Sequence, residues 1–201
     1  MAIASVTLAA DREPVVGGPC DGCEAVFIGI PESISSESRI APPDEPGTPL
    51  RVEGTVRDTE GSPVAGVIVY AYHTNIGGRY PRDSSTQGTP AERHGMLRGW
   101  ARSDNAGRYV FETVRPGGYP LSRIPEHIHM HVIEPGRCTY YIDDIVFEDD
   151  PRLTDTDRRR TSRARGGIGV AKPEHHESGS LTVRRDLILG DNIPDYPRRD
   201  S

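Results

Sequence analysis

The sequence predicts an all-β fold, a sandwich of mainly antiparallel strands with long loops, and three observations predict it. Only 34% of the 201 residues are hydrophobic, with 22 Gly and 18 Pro, a composition that suits short strands and turns better than helices. Stretches rich in β-branched and aromatic residues recur along the chain, each bounded by a turn signal. Helical periodicity is almost absent. A chain of this length makes one well-cored domain more readily than two. Residues 1–47 are therefore expected to be an N-terminal segment and connector packed on the core, and residues 48–201 the sandwich itself.

In chain order, the short apolar run Ala25 to Gly29 suggests a first strand. Residues 31–49 (PESISSESRIAPPDEPGTP) lack periodicity and read as a connector laid over the surface. Leu50 to Val56 alternates, DTEGSP turns the chain, and Val64 to Tyr72 is dense in strand formers. Residues 75–97 (NIGGRYPRDSSTQGTPAERHGML) are too polar and too rich in Gly and Pro for a regular element. A loop of that length in a compact domain is more often functional than not. Gly99 to Arg102, Tyr109 to Thr113, His127 to Glu134, Thr139 to Phe147 and Leu181 to Leu189 complete the strands, with SDNAGR and RPGGYP as turns. Residues 150–180 contain the run DRRRTSRARGG, but Asp155, Asp157, Glu174 and Glu177 lie in the same stretch, so it reads as a solvated loop.

A formal net charge of −6 is not the electrostatic footprint of a nucleic-acid binder. No stretch approaches the apolar length of a membrane span. The N-terminus, MAIASVTLAADREPVV, lacks a basic region and is broken by Asp11, Arg12 and Glu13. It does not read as a signal peptide, and a cytoplasmic location is the expectation. Cys20 and Cys23 form a C-x-x-C pair, and Cys138 stands alone. A zinc or iron–sulfur site needs about four ligands and there is no second C-x-x-C, so a local disulfide or two buried thiols is expected. An exposed sandwich edge offers a route to a homo-oligomer.

The most informative segment is His127-Ile128-His129-Met130-His131. In a strand, residues two apart face the same side about 6.5–7 Å apart, so two imidazoles can converge on one metal ion. Histidines on one buried face need something to satisfy them. His131 is expected to be structural or to lie just behind the site, because strand twist carries it away from the first two. His73, His94, His175 and His176 sit in or beside loops and receive no ligand role. The pattern alone leaves the metal open: three imidazoles suit zinc or copper, and two with a carboxylate suit ferrous iron. Tyrosine phenolate is a hard anionic donor, which a strongly Lewis-acidic ferric ion binds by lowering the phenol pKa from about 10.

Tyrosines do recur in a recognisable pattern. The runs RVEGTVRDTEGSPVAGVIVYAYHTNIGGRYP, RGWARSDNAGRYVFETVRPGGYP and IPEHIHMHV, in that order, resemble the intradiol ring-cleavage dioxygenases, in particular their short single-domain bacterial branch. The resemblance covers about residues 48 to 153, with weaker agreement in GGPCDGCEA and LTVRRDLIL. It implies an oxidoreductase whose catalytic domain holds Fe(III) through Tyr80, Tyr119, His127 and His129. It also implies that a small aromatic ortho-diol of the catechol type reacts with O2 to give a muconate-type diacid. Tyr119 would be the ligand that leaves and helps to accept a substrate proton, with His129 opposite it.

The pattern departs from the family in two ways: the stretch between Tyr119 and His127 is short compared with typical members, and an expected arginine is displaced. An arginine usually stands three residues before the first histidine, where this chain has Ile124 with Arg123 beside it. One step along a strand reverses the face of a side chain, so Arg123 can serve as the catalytic arginine only if the backbone there is irregular. Substrate contacts are expected from the long loop, at Asn75, Ile76, Arg82 and Met96, and Arg98 and Trp100 of the RGW motif are expected to brace the site or pack in the core. Two other functions compete. VEGTVRDTEGSPVAGVIVYAY also resembles the transthyretin-like sandwiches that act as non-catalytic binding modules. The histidine strand alone would also fit a zinc hydrolase that uses three imidazoles.

Overall fold

The structure, a computed structural model, describes residues 13–20, 22–161 and 165–197. Most of the stretch behind the signal-peptide expectation and part of the arginine-rich run lie outside the described residues. Eleven strands are described: β1 (Glu37–Arg39), β2 (Pro49–Arg57), β3 (Ile68–His73), β4 (Arg98–Arg102), β5 (Arg108–Val114), β6 (His127–Glu134), β7 (Cys138–Phe147), β8 (Val170–Ala171), β9 (Glu174–His175), β10 (Leu181–Arg184) and β11 (Leu187–Ile188). A short helix, α1 (Asp155–Thr161), lies between β7 and β8. One sheet runs β1-β5-β2-β10-β9, with β11 also pairing β2, and the other runs β4-β3-β6-β7-β8. The long pairings, β2 with β5 and β6 with both β3 and β7, are antiparallel, whereas β1–β5, β2–β10, β2–β11 and β7–β8 are short and parallel. The fold is the expected β-sandwich.

Period-two alternation builds the core between the sheets. Leu50, Val52 and Phe111 from one sheet meet Val69, Ala71, Ile128, Met130, Val132, Tyr140 and Ile142 from the other. Because Ile128, Met130 and Val132 point inward, His127, His129 and His131 must share the opposite face of β6. That face is not bare. Every residue of β3 is buried, and Tyr70, Tyr72, Trp100 and Ile133 pack there against Val26, Phe27, Ile30 and Ile34 of the N-terminal segment. Trp100 Nε1 donates to the Val26 carbonyl at 2.8 Å, and Arg98 Nη1 to the Ile28 carbonyl at 2.9 Å. Both residues of the RGW motif therefore pin this segment to the sheet.

Three sequence expectations need correction. Cys23–Phe27 is a 3-10 helix rather than a strand. Gly22, with φ of 102°, and the Cys20–Cys23 disulfide close a tight turn that extended backbone cannot make. The run is apolar because it covers the histidine face of the second sheet. The connector supplies the edge strand β1 and then sends Ile40 and Ala41 into the core; three residues on an edge are too few to show a period. Residues 150–180 contain α1, whose start is a reciprocal capping pair: Thr154 N donates to Asp157 Oδ2 at 3.1 Å, and Asp157 N to Thr154 Oγ1 at 3.2 Å. Seven residues are likewise too few for a helical stripe.

Candidate active site

The two tyrosines come from loops that the fold clamps together. After β3, Asn75 closes a turn: its Oδ1 accepts from Gly77 N at 3.1 Å and Arg79 N at 3.2 Å. Between β5 and β6, Gly117 N donates to the Asn75 carbonyl at 3.0 Å, and Thr74 Oγ1 donates to the Gly117 carbonyl at 2.7 Å. The backbones touch. Gly78 has φ of 68°, and a Cβ there would lie 2.1 Å from the Gly118 carbonyl oxygen. A Cβ on Gly117 would lie 2.2 Å from the Ile76 carbonyl oxygen. The glycine pairs ahead of Tyr80 and Tyr119 thus permit the approach that brings the two phenol oxygens together.

The histidines come from β6. His127 Nδ1 faces the Pro125 carbonyl at 2.7 Å, and His129 Nδ1 faces Asp144 Oδ1 at 3.0 Å. Each contact is made by Nδ1–H as donor, which leaves the Nε2 lone pair free for a ligand. The β6–β7 register shifts between Ile128 and Met130, so that Asp143 and Asp144 together oppose His129. Such a bulge re-aims a side chain, and here it sets Asp144 behind the imidazole. The ring of Tyr72 stacks on His129 at 4.5 Å and on His94 at 3.6 Å, fixing the plane of His129.

The four candidate ligand atoms converge. Tyr80 Oη lies 2.6 Å from Tyr119 Oη and 2.9 Å from His129 Nε2. Tyr119 Oη lies 3.1 Å from His127 Nε2 and 3.3 Å from His129 Nε2, and the two Nε2 atoms are 3.2 Å apart. Donors about 2.0–2.1 Å from a common ion stand roughly 3 Å apart, so this spacing fits a coordination shell. Burial pushes both phenols above their ordinary range, with the neighbouring Tyr119 adding to the effect on Tyr80. Phenolates in this place therefore need a cation. Burial, and then the adjacent His129, holds His127 below its ordinary value, in the neutral form that binds metals. Burial raises the Asp144 carboxyl, but the imidazoles, His129 first, outweigh it and hold the group below the usual range.

A cavity of about 680 Å³ opens on Tyr80, Tyr119 and His129, within the range of small-molecule sites. Its far walls are Cys20 and Glu24 from the N-terminal segment and Thr89, Pro90, Arg93 and His94 from the long loop. Asn75, Ile76, Arg82 and Met96 do not line it. Asn75 is engaged in its turn, and Ile76, Arg82 and Met96 are exposed. Arg123 is also exposed, and among the described residues it makes no hydrogen bond or ion pair; the guanidinium on the cavity wall is that of Arg93. Pro90–His94 forms a 3-10 helix capped by Thr89, which turns the buried His94 inward to meet Tyr70 Oη at 2.8 Å. Burial, and then His131, pulls His94 down to about 3, so it is neutral.

His131 does not join its neighbours. Its Nε2 faces Cys20 Sγ at 3.8 Å, and the group with metal-ligand spacing around His127 and His129 contains Asp144 instead. The three imidazoles therefore do not meet on one ion as a zinc hydrolase would require. Sequence reasoning missed Asp144, Tyr72, His94 and the N-terminal wall. One signal was available, the DD pair inside the otherwise apolar strand IDDIVF, which breaks alternation as a bulge does.

Comparison with known proteins agrees with this architecture. The family model described as dioxygenase matches residues 26–189. Catechol 1,2-dioxygenase 1 of Acinetobacter lwoffii is 40% identical over 77 residues, covering 38% of this chain and 24% of that protein. The protocatechuate 3,4-dioxygenase beta chain of Burkholderia cepacia is 30% identical over 112 residues, covering 53% and 48%. The matches thus span less than half the length of these relatives. The dioxygenase domain of a carbohydrate-binding fusion protein from Streptomyces sp. SirexAA-E has the same fold, with a TM-score of 0.61 at 22% identity over 89% of this chain and 98% of that one. Catechol 1,2-dioxygenase from Pseudomonas arvilla C-1 gives a TM-score of 0.61 at 19% identity over 92% and 65%. With the family model running from the N-terminal segment through the last strand of the sandwich, the chain belongs to the intradiol dioxygenase family.

Proposed function

We propose that this protein is a non-haem Fe(III)-dependent dioxygenase that cleaves an aromatic ortho-diol between its two hydroxyl-bearing carbons, placing both atoms of O2 in a muconate-type diacid. The observation that carries this reading is the convergence of Tyr80, Tyr119, His127 and His129, the first two and His129 lining an open cavity. When bound, ferric iron would supply Lewis acidity at the diol oxygens and a template for the two reactants.

The residues divide the remaining work. Tyr80, held by the Asn75 turn, and the two histidines, held on β6, are the fixed ligands. Tyr119 sits on a loop, and its Oη is within 3.3 Å of all three other donor atoms. As phenolate it would help to hold the ion and would be placed to take one diol proton at Oη. Asp144 keeps the Nδ1 proton of His129 in place and strengthens its Nε2 as a donor. A metal-free binding module would share the sandwich but has no use for these converging donors.

The test is reconstitution with ferric ion, followed by a panel of diols under O2. A red-brown protein with a tyrosinate-to-iron charge-transfer band, which changes on anaerobic addition of catechol, is expected, together with ring-opened diacid carrying two labelled oxygens from 18O2. A protein that stays colourless after reconstitution overturns the reading. Asp144→Asn is expected to weaken ferric retention about 10- to 100-fold, read by chelator competition, with the melting temperature of the metal-free protein little changed. Retention equal to that of the parent would remove Asp144 from its role.

A further inference from the structure

The C-x-x-C pair is unexplained by the proposed reaction, yet its Cys20 forms part of the cavity wall. In the fold it gains a third candidate ligand that the sequence did not suggest. Cys20 Sγ, Cys23 Sγ and a ring nitrogen of His131 all lie within 4.8 Å of one another, and Cys20 Sγ is 3.8 Å from His131 Nε2. In a tetrahedral zinc site, with Zn–S near 2.3 Å and Zn–N near 2.0–2.1 Å, sulfur and nitrogen stand roughly 3.6 Å apart and two sulfurs roughly 3.8 Å. The Cys20–His131 separation already matches. The two sulfurs must part on reduction, and a C-x-x-C pair is the ligand spacing of many zinc sites.

His131 is a poor choice if its task is structural. It is buried on the face shared with Tyr70 and Ile133, its Nδ1 has no hydrogen-bond partner, and its Nε2 meets only a sulfur. Leaving a buried polar atom unpaired is destabilising, a penalty that an aliphatic residue there would avoid. The sulfur of Cys20 is reachable as well: besides the cavity at the candidate metal centre, Cys20 lines a second one of about 340 Å³ with His131, Tyr141 and Asp144.

We infer that, once the disulfide is reduced, Cys20, Cys23 and His131 form a second metal site that binds zinc(II), with its fourth position open to water. Three protein ligands plus water is a recognised zinc arrangement, and two thiolates leave the site neutral overall. A small dithiol supplies the two electrons: the S–S bond breaks, the reductant becomes a disulfide, and the two new thiols release their protons as they bind the ion. The ring of Tyr72 lies beside both this site and the one at His127 and His129, 4.5 Å from the His129 ring and 6.1 Å from that of His131.

The test uses the full chain, reduced with a phosphine under argon and titrated with Co(II) and then Zn(II). A thiolate-to-cobalt charge-transfer band in the near ultraviolet is expected, saturating at about one ion per chain, lost on adding Zn(II) and absent from the oxidised protein. The tyrosine–histidine site contains no sulfur and cannot produce this band. Cys20→Ser should abolish it, and His131→Asn should weaken Co(II) binding at least about tenfold, with circular dichroism checking that each variant folds. Should a variant not fold, Zn(II) protection of Cys20 and Cys23 in the reduced parent from iodoacetamide, read by mass spectrometry, decides instead. Reduced parent protein with no thiolate band and no protection overturns the inference, as does unchanged affinity in folded His131→Asn.

Discussion

Tyr80→Phe is expected to take away about half or more of the visible charge-transfer intensity of the ferric protein and to lower turnover at least roughly 100-fold. The fold should survive. The phenyl ring keeps its packing beside Tyr72, and the hydrogen bonds lost from Tyr80 Oη, to Tyr119 at 2.6 Å and His129 at 2.9 Å, are worth about 1 kcal/mol each. A small shift in melting temperature beside a large spectral loss therefore separates a ligand role from a packing role. Ferric titration followed by absorption, with O2 uptake on the same samples, reads both quantities. An unchanged spectrum would mean that Tyr80 is not a ligand, whatever its distance from the histidines.

Gly78→Ala should damage the site from outside it. The left-handed backbone at Gly78 costs an alanine about 1–2 kcal/mol, and the new methyl would meet the Gly118 carbonyl oxygen, part of the loop that carries Tyr119. That oxygen is backbone and cannot rotate away as a side-chain end can. The loops must part, and the 2.6 Å contact between the two phenols is broken. A total cost of about 2 kcal/mol or more is expected, which for a domain of this size lowers the melting temperature by about 4–8 °C. The charge-transfer band should shift or weaken even though no ligand has been changed. A variant with the parent's spectrum and stability would show that the loops tolerate separation, and that the paired glycines are not what sets the phenols together.

The parts of this molecule that can be read from sequence are those governed by short-range period. Ile128, Met130 and Val132 alternate with histidines, and that alternation places the imidazoles on one face before any coordinate is known. The long strands are visible for the same reason. The 3-10 helix at Cys23–Phe27 is not, because a short run from Ala25 that is apolar for tertiary reasons looks like a strand. Asp144 is hidden by the bulge, which breaks the two-residue rule that would have located it. Substrate contacts were sought near the first tyrosine in sequence, but the cavity wall is built by Thr89–His94 folding back and by a segment some sixty residues earlier in the chain. Proximity of that kind depends on loop conformation and has no periodic signature.

The stretch from Cys20 to Ile30 covers the apolar outer face of the second sheet and also forms one lip of the cavity. It contributes none of the four proposed ligands to iron. On the proposed function, selectivity and metal retention would therefore reside in separate pieces of chain: exchanging this lip is expected to change which diols fit while leaving the four donor residues in place. Its removal would have a different result. With Tyr70, Tyr72, Trp100 and Ile133 uncovered, a fragment starting at residue 48 would present an apolar plateau to solvent and tend to self-associate.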